Sequence, residues 1–461
     1  MATIVLSKQR KKRLEQAHPW VFASEVDRME GEAVPGSLVD VANHQGRYLA
    51  TGYYNPKSQI IVRVVSYSPL AEMDEEFFVK RLEACRQHRL RFLDDTNACR
   101  MVYGEADFLP GLIVDKFDDV LVVQLLTLGM DRCREALVAA LVRVFAPRGI
   151  YERSDVSVRE LEGLEQRTGV LYGDCPRHVP ITENGLRFDV DIVEGQKTGY
   201  FFDQRENRAS IAKLMRGWGG RSGIELRDVE GEDGAVVVSP VNANGKVVTF
   251  PYWDGATVLE CFSHTGSFTL NACKYGAKKV TCLDISEHAI ESARQNVELN
   301  GFTDRVEFVV ADAFDYLRQQ VRGLDERKDR AAAAQGEGKK VDTSKKLASE
   351  GRTWDVVILD PPAFAKTKGA VKGACRGYKD INLHGMKLVN EGGYLVTASC
   401  SYHMRPDLFL ETIQEAAVDA GKVLRLVEWR GAGKDHPQIL GVDEGHYLKF
   451  AIFEVRSKNE V

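Results

Sequence analysis

The stretch Val356-Val357-Ile358-Leu359-Asp360-Pro361-Pro362-Ala363-Phe364 contains the clearest structural pattern in the chain. Its first four residues are apolar and three of them are β-branched, which predicts a short buried strand. The two prolines end the strand because they cannot donate to a hydrogen-bonded ladder. Asp360 therefore lies at the carboxyl end of a strand, where open α/β sheets bind ligands. Taken alone, the pattern fits a solvated aspartate at an ordinary strand end equally well.

The sequence around this stretch alternates between strand and helix patterns, which is typical of a doubly wound α/β sheet. Further strands are predicted at residues 258–261, 280–284, 306–310 and 394–397, and a helix at 286–300. We expect this α/β domain to occupy residues 185–461.

Two other regions precede it. Short strands at residues 36–41, 48–54 and 60–65, separated by Gly, Asn and Pro, predict a small β-barrel in residues 1–70. A predicted amphipathic helix at 75–93 opens an α+β domain, which we place at residues 75–180.

Two segments look like insertions in the α/β domain. Residues 216–254 are rich in glycine and charge, with the hairpin turn Asn244-Gly245 between possible strands at 236–238 and 247–250. Residues 322–352 contain almost no large apolar residue, which predicts a mobile excursion that is partly helical at most.

The composition is that of a soluble globular protein of more than one domain: 461 residues, 44% hydrophobic and 28% charged. No signal peptide or membrane span is expected. Nine cysteines without a CxxC pair argue against a disulfide framework or a zinc site, so we expect no metal and a reducing cytoplasm. The net charge of −5 does not indicate a generally basic nucleic-acid binder.

A local basic cluster nevertheless opens the chain. Five cations fall within residues 8–13, including Lys11, Lys12 and Arg13, and His18-Pro19-Trp20-Val21-Phe22 follows. Cations beside aromatic rings suit phosphate contact and base stacking. The alternative is a solvated helix face with a core tryptophan, which is the more common role of such a run.

The strand ends of the α/β domain suggest a nucleoside site. The turn Cys261 to Phe268 follows the first strand, and Asp284 ends the second strand eighteen residues after Gly266, where an acidic residue can bond ribose hydroxyls. The turn lacks three spaced glycines, so a nucleoside without phosphates fits better than a dinucleotide. Asp312-Ala313, after the third strand, is placed to bond an adenine amino group.

A thiol and a polar loop complete the candidates. Cys400 follows the fifth strand and should lie beside Asp360, where a lowered pKa would make it a nucleophile; for the other eight cysteines we expect a structural role. Residues 194–205 combine two glycines, Lys197, Arg205 and three aromatics, which favours a ligand-facing loop.

Six segments together resemble the bacterial large-subunit rRNA cytosine-C5 methyltransferases. They are LECFSHTGSF (259–268), LDISEHAIESARQNVELN (283–300), DPPAF (360–364), GACRGYKDIN (373–382), NEGGYLVTASCS (390–401) and GQKTGYFFDQR (195–205). The resemblance covers nearly the whole chain except the two insertions. His264 and Tyr402-His403 also depart from the pattern.

The resemblance implies an N-terminal PUA RNA-binding domain, a small central domain and a class I methyltransferase domain that uses S-adenosyl-L-methionine. It implies large-subunit (23S-type) rRNA as the partner, no membrane, and a homodimer as a possible assembly. Cys400 would add to C6 of a cytosine, and Asp360 would bond the Watson–Crick edge of that base. The implied cofactor residues are Phe262, Ser263, Thr265, Gly266, Asp284, Ile285, Asp312, Ala313, Lys197 and Tyr200. The implied substrate residues are Pro361, Pro362, Phe364, Arg205, Lys11, Lys12 and Arg13, with Phe364 open between stacking on the base and packing.

Two alternatives stay open at this point. A methyltransferase acting on an exocyclic amine of adenine or guanine also uses an Asp-Pro-Pro turn with an aromatic residue, and it needs no cysteine. A non-catalytic RNA-binding protein would need no cofactor.

Overall fold

A computed structural model describes residues 1–216, 218, 225–230, 234, 236–242, 244–247, 255–335 and 349–461. The chain divides into two compact units, one of residues 1–205 and 433–446 and the other of residues 206–432 and 447–461. Residues 185–205, which we assigned to the α/β domain from sequence, thus belong to the first unit by contacts. No helix in the described ranges is long and apolar enough to cross a membrane.

The first unit begins with a six-stranded mixed sheet, in the order β2-β6-β5-β4-β1-β3. Its strands are β1 (Thr3–Leu6), β2 (Trp20–Phe22), β3 (Val26–Glu30), β4 (Leu38–Ala42), β5 (Tyr48–Tyr54) and β6 (Ile60–Ser66). Alternating apolar residues such as Val39, Val41, Val62 and Val64 form its core. The three strands predicted in this region are confirmed.

A second sheet, in the order β11-β10-β9-β8-β7, follows in the same unit. Its elements are α1 (Glu75–Phe92), β7 (Ala98–Tyr103), β8 (Leu112–Phe117), β9 (Val120–Leu125), α2 (Leu128–Arg132), α3 (Arg134–Phe145), β10 (Gly149–Ser154), α4 (Val158–Leu161) and β11 (Arg167–Gly173). A hairpin of β12 (His178–Glu183) and β13 (Leu186–Asp191) comes next. The side chain of Asp74 caps α1 by accepting from the N–H of Phe77 at 2.8 Å, which explains why the helix begins where predicted.

Buried ion pairs hold the distant segment 433–446 in this unit. Arg89 forms a bidentate pair with Asp107 and also donates to the carbonyl of Asp435 at 2.8 Å. The carboxylate of Asp435 accepts from the N–H of Arg100 at 3.1 Å, and burial opposed by the charge of His436 leaves its pKa lowered to about 2. This cluster cannot be seen in the sequence, because Asp435 lies more than 300 residues from Arg89 and Arg100.

The second unit is built on a seven-stranded sheet, in the order β18-β17-β16-β19-β20-β22-β21. Its elements are α5 (Arg205–Ser210), β14 (Glu225–Glu230), β15 (Val236–Val241), β16 (Thr257–Cys261), α6 (Ser267–Lys274), β17 (Lys279–Asp284), α7 (Glu287–Leu299), β18 (Val306–Val310), α8 (Ala313–Ala334), β19 (Trp354–Leu359), α9 (Val371–Lys387), β20 (Val389–Ser399), α10 (Pro406–Ala420), β21 (Lys422–Arg430) and β22 (Lys449–Ser457). Within this sheet the five neighbouring strands β18, β17, β16, β19 and β20 are parallel, and β22 is antiparallel to β20 and β21.

The predicted doubly wound architecture is confirmed. The central strands β16, β19 and β20 are buried and share one hydrophobic core with α8, α9 and α10, as expected for parallel strands covered by helices. Strand β19 ends at Leu359, so Asp360 is the first residue beyond it.

The described parts of the insertions form regular structure. Strand β15 contains the predicted residues 236–238, but its main partner is β14. The Asn244-Gly245 turn is present, with a bridge between Val241 and Val247, while 248–250 lie outside the described residues. Helix α8 continues through residue 334, and residues 336–348 of the second insertion also lie outside the described residues.

Candidate active site

Three carboxylates and one thiol lie at, or just after, the carboxyl ends of four strands of the parallel sheet. Asp284 ends β17, Asp312 follows β18, Asp360 follows β19 and Cys400 follows β20. The strand order places β18, β17, β16, β19 and β20 side by side. Since the strands are parallel, their carboxyl ends meet at the same edge, which is where such sheets bind ligands.

The turn after β16 encloses the carboxylate of Asp284. One oxygen accepts from the N–H of His264 and the other from the N–H of Ser286, both at 2.9 Å. Gly266 has φ +75°, and a Cβ there would stand 3.0 Å from the Cβ of Ala293 on α7. Only glycine fits this position without strain, so the turn that contains Phe262, Ser263 and Thr265 is held in place beside Asp284.

The neighbouring residues offer an apolar surface and a second carboxylate. Ile285 is 68% exposed although it is large and apolar. Asp312 caps α8, where one carboxylate oxygen accepts from the N–H of Asp315 at 3.1 Å. The other oxygen of that carboxylate can accept from a ligand, since an ionised carboxylate has several acceptor positions. Ala313 is buried at the start of the helix and contributes packing.

Cys400 lies against the turn that follows Asp360. Its Sγ is 3.8 Å from the carbonyl oxygen of Pro361, within the range of a thiol hydrogen bond. Pro361 is buried, whereas Pro362 is exposed and Cys400 is half-buried. The structure therefore brings the thiol and the Asp360 turn together, as the order of the strands leads us to expect.

Ser401 connects three segments around this thiol. Its Oγ accepts from the N–H of Ala365 at 3.1 Å and is hydrogen-bonded to the hydroxyl of Tyr378 at 3.0 Å. Its carbonyl oxygen accepts from the Nζ of Lys449 at 2.6 Å. Burial raises the pKa of Tyr378, so this hydroxyl stays neutral at physiological pH. The sequence analysis selects none of Ser401, Tyr378 and Lys449.

Phe364 has packing partners within the protein. Its ring centroid lies 4.7 Å from that of Tyr378 and 5.8 Å from that of Phe314. Gly377 on α9 allows this approach, because a Cβ there would come within 3.2 Å of the Phe364 ring. These contacts favour packing over base stacking for this residue.

A buried carboxylate lies beneath the same edge. Glu260 on β16 is 2% exposed and accepts from the N–H of Thr269 at 2.7 Å and from its hydroxyl. Burial, with the charge of Asp360 adding to it, raises the pKa of Glu260 to about 8. Sequence analysis did not find it, although a glutamate within the buried strand Val258 to Cys261 is itself unusual.

The loop 195–205 belongs to the first unit, where two of its candidate residues have internal roles. Tyr200 is buried, and its hydroxyl donates to Glu183 at 3.2 Å. Arg205 is buried and donates to the carbonyl of Ala98 at 2.7 Å. Both side chains thus have partners within the first unit. Lys197 differs, since 39% of its side chain is exposed while its Nζ pairs with Asp203 at 3.0 Å.

The basic cluster near the N-terminus lies on a loop and not on a helix face. Lys11 and Lys12 are exposed between β1 and β2, just before a single 3₁₀ turn, Leu14–Gln16. Arg13 lies over the ring of Phe22, with its guanidinium carbon 5.0 Å from the centroid. Lys11 and Lys12, together with the exposed Lys8, are therefore available for phosphate contact.

Comparisons with known proteins agree with this architecture. A family described as PUA-like domain matches residues 4–67, and one described as methyltransferase domain matches residues 253–424. Ribosomal RNA large subunit methyltransferase I of Erwinia tasmaniensis is 39% identical over 450 residues, 97% of each chain, and that of Escherichia coli is 38% identical over the same shares. The chain belongs to the ribosomal RNA large subunit methyltransferase I family.

Two solved structures support the fold of this family member. A putative SAM-dependent methyltransferase from Streptococcus mutans has a TM-score of 0.70 at 19% identity, covering 98% of this chain and 100% of that one. A putative methyltransferase complexed with SAH has a TM-score of 0.72 at 19% identity with the same coverage.

The cofactor of the methyltransferase domain is S-adenosyl-L-methionine. The residues at the sheet edge fit this molecule: the carboxylate of Asp284 would accept from ribose hydroxyls, the exposed Ile285 would offer an apolar surface to a base, and the second oxygen of Asp312 would accept from an amino group.

Proposed function

We propose that this chain methylates C5 of a cytosine in large-subunit rRNA, with Cys400 as the nucleophile and Asp360 as the ligand of the base. The relatives at 38–39% identity are named for large-subunit rRNA, and they match over 97% of the chain. The observation that carries the C5 chemistry is the contact of Cys400 Sγ with the Asp360-Pro361 turn.

The thiol is needed because C5 of cytosine is a poor nucleophile. The thiolate of Cys400 adds to C6, where its electron pair forms the S–C6 bond and the π pair of the C5=C6 bond moves towards C5. Bound S-adenosyl-L-methionine supplies an electrophilic methyl group on its sulfonium. The electron pair at C5 would take this methyl group as the S–CH3 bond breaks and leaves a neutral thioether. Loss of the C5 proton to a base or to water, with departure of the thiolate, would then restore the C5=C6 double bond.

Asp360 is placed to hold the base during this addition. Its carboxylate accepts from the exocyclic amine of cytosine and stabilises a proton on N3, so that the ring can take up the electron pair of the thiolate without a net negative charge. The following prolines restrict the backbone of the turn, and the hydrogen bond from Ala365 to Ser401 ties that turn to the Cys400 segment. Carboxylate and thiol are thus preorganised, which lowers the cost of reaching the reactive geometry.

The target cytosine has to leave its stack before C6 can reach the thiol. A single-stranded or splayed nucleotide is the form in which RNA offers a base to such a pocket. We propose that the PUA-like domain, residues 1–70, contributes RNA affinity through Lys11 and Lys12. The central domain, residues 75–180, extends that surface, and the second unit, residues 206–432 and 447–461, carries the methyltransferase function.

Nucleoside analysis tests the proposal. Purified chain, S-adenosyl-L-methionine and unmodified large-subunit rRNA are incubated, the RNA is digested, and the nucleosides are separated by mass spectrometry against standards. We expect 5-methylcytidine. Methyl groups on an exocyclic amine of adenine or guanine would instead establish the amine methyltransferase, and RNA binding without any methylation would establish a binding protein.

A further inference from the structure

We propose that Lys449 is a positioning residue that stabilises the thiolate of Cys400. The proposal rests on the proposed function for its biological meaning, because only a nucleophilic Cys400 needs an ionised thiol. It concerns a residue that neither the family description nor the motifs of the sequence single out.

The strand pairing sets Lys449 against the Cys400 segment. Lys449 is the first residue of β22 and is paired with Ser399, the last residue of β20. From there its side chain reaches the carbonyl oxygen of Ser401 at 2.6 Å. Its backbone and its ammonium group therefore contact the residues on both sides of Cys400.

The charge of Lys449 is buried. The residue is only 2% exposed, and its Nζ donates to two backbone carbonyls, those of Ser401 and Tyr447, at 2.6 and 2.7 Å. Neither partner carries a formal charge. A buried ammonium normally requires an anionic partner, since desolvation of an unpaired charge is costly.

Cys400 lies between Ser399 and Ser401, the two residues that Lys449 contacts, and its thiolate is that anionic partner. Burial lowers the pKa of Lys449 to about 8, and a negative charge on Cys400 opposes this shift. At pH 7 the side chain is thus still an ammonium. A cation beside a cysteine favours loss of the thiol proton to solvent and leaves a thiolate paired with the ammonium.

Other titratable groups face this segment from the neighbouring elements. Tyr378 on α9 lies near the same thiol and is kept neutral by burial. Asp360 follows β19, and Glu260 on β16 lies close to Asp360. The carboxylate of Asp360 disfavours a negative charge on the neighbouring Cys400. The ammonium of Lys449 offsets this repulsion.

Alkylation of Cys400 tests the inference without RNA or cofactor. The intact chain is treated with iodoacetamide from pH 5.5 to 10, and modification of the peptide that contains Cys400 is followed by mass spectrometry. In the wild type we expect a midpoint below about 8.5, the ordinary value for a cysteine. A midpoint at or above that value overturns the proposal.

Variants separate charge from packing. For Lys449→Met we expect the midpoint to rise by at least one pH unit, with about tenfold slower alkylation at pH 7 and an unchanged rate at high pH. Lys449→Arg should stay near the wild type. The matched control is Lys422→Met, which removes another partly buried lysine of this sheet and should leave the profile unchanged. An unchanged midpoint in Lys449→Met overturns the proposal. If the midpoint stays the same and only the alkylation rate at high pH changes, Lys449 affects packing around Cys400 and not the ionisation of its thiol.

Failure of the Lys449 proposal and failure of the proposed function give different experimental results. If Cys400→Ala retained RNA methylation, the C5 mechanism would fail while the alkylation result stood. If Cys400→Ala abolished methylation but Lys449→Met kept the wild-type midpoint, only the present inference would fail. With both correct, Lys449→Met lowers kcat at pH 7 with little change in KM, and the loss shrinks as the pH rises to 9.

Discussion

The thiol of Cys400 lies 3.8 Å from the carbonyl oxygen of Pro361. Two strand ends that are about forty residues apart in sequence thereby lie together, one followed by Asp360 and the other by Cys400. Ser401 fixes this arrangement through the N–H of Ala365. The reactive groups are therefore positioned by the sheet and by a short turn, before any RNA is present.

Asp360→Asn should reduce catalysis and leave cofactor binding intact. The amide removes the negative charge that stabilises the N3/N4 edge, so we expect kcat to fall by about 100-fold or more. Methyl transfer to rRNA and calorimetric binding of S-adenosyl-L-methionine measure the two effects. Asp315→Asn, at an exposed carboxylate on α8, is the control. Wild-type kcat in Asp360→Asn would mean that this carboxylate does not contact the base.

Asp284→Ala should weaken the binding of S-adenosyl-L-methionine. The change removes the proposed ribose acceptor and also the acceptor of the His264 and Ser286 N–H groups. We expect Kd to rise at least about tenfold, or about 1.4 kcal/mol, by isothermal titration calorimetry. Glu287→Gln, one residue into α7, should leave Kd unchanged. An unaltered Kd in Asp284→Ala would show that Asp284 does not bind the ribose of the cofactor.

Glu260→Gln should stabilise the protein at alkaline pH. The pKa of Glu260 in the folded state is about 8, above its ordinary 4.5, so the folded chain binds a proton that the unfolded chain has lost between these values. Stability from this group is complete below pH 4.5 and declines as the pH rises to 8. Glutamine keeps an acceptor for Thr269 without the charge.

The measurement is the difference in free energy of unfolding between Glu260→Gln and wild type. At pH 8.5 we expect the variant to be more stable by at least about 1 kcal/mol, with the difference shrinking towards pH 5. A variant that is equally destabilised at both pH values would show that Glu260 is not protonated in the folded protein.

Replacement of Lys11 and Lys12 by glutamine should weaken RNA binding and flatten its salt dependence. Both side chains are exposed on a loop. Loss of two phosphate contacts reduces the slope of log K against log salt by about 1.5. Fluorescence anisotropy with an rRNA fragment measures the slope. The pair Lys80→Gln and Arg86→Gln removes two exposed charges from α1 as a control, and an equal reduction there would point to net charge alone.

Strands β17, β18 and β19 of the methyltransferase sheet are predictable because each is a short run with β-branched residues that ends at, or just before, an aspartate. Their parallel order then places Asp284, Asp312 and Asp360 at one edge, without further information. Cys400 is predictable for the same reason, since it follows the fifth strand. Local pattern and topology suffice for this part of the site.

Contacts that depend on side-chain direction escape the sequence. Tyr200 and Arg205 look like ligand residues, yet their side chains bond to Glu183 and to the carbonyl of Ala98. Conversely, Lys449 stands in the apolar run 447–453, where a lysine in a strand indicates a paired charge, but its partner is 49 residues earlier in the chain. Such pairings follow from register, which hydrophobic pattern alone does not give.

Covalent trapping on Cys400 tests the central claim most directly. RNA carrying 5-fluorocytidine at the target position is incubated with the chain and S-adenosyl-L-methionine, because fluorine at C5 cannot leave as a proton does and the C6 adduct persists. We predict a denaturant-resistant protein–RNA complex whose digested adduct maps to the peptide of Cys400. Cys175→Ala, at a partly exposed thiol of the first unit, should form it equally well, and Cys400→Ala should form none. An adduct on another cysteine, or 5-methylcytidine produced by Cys400→Ala, would contradict the account.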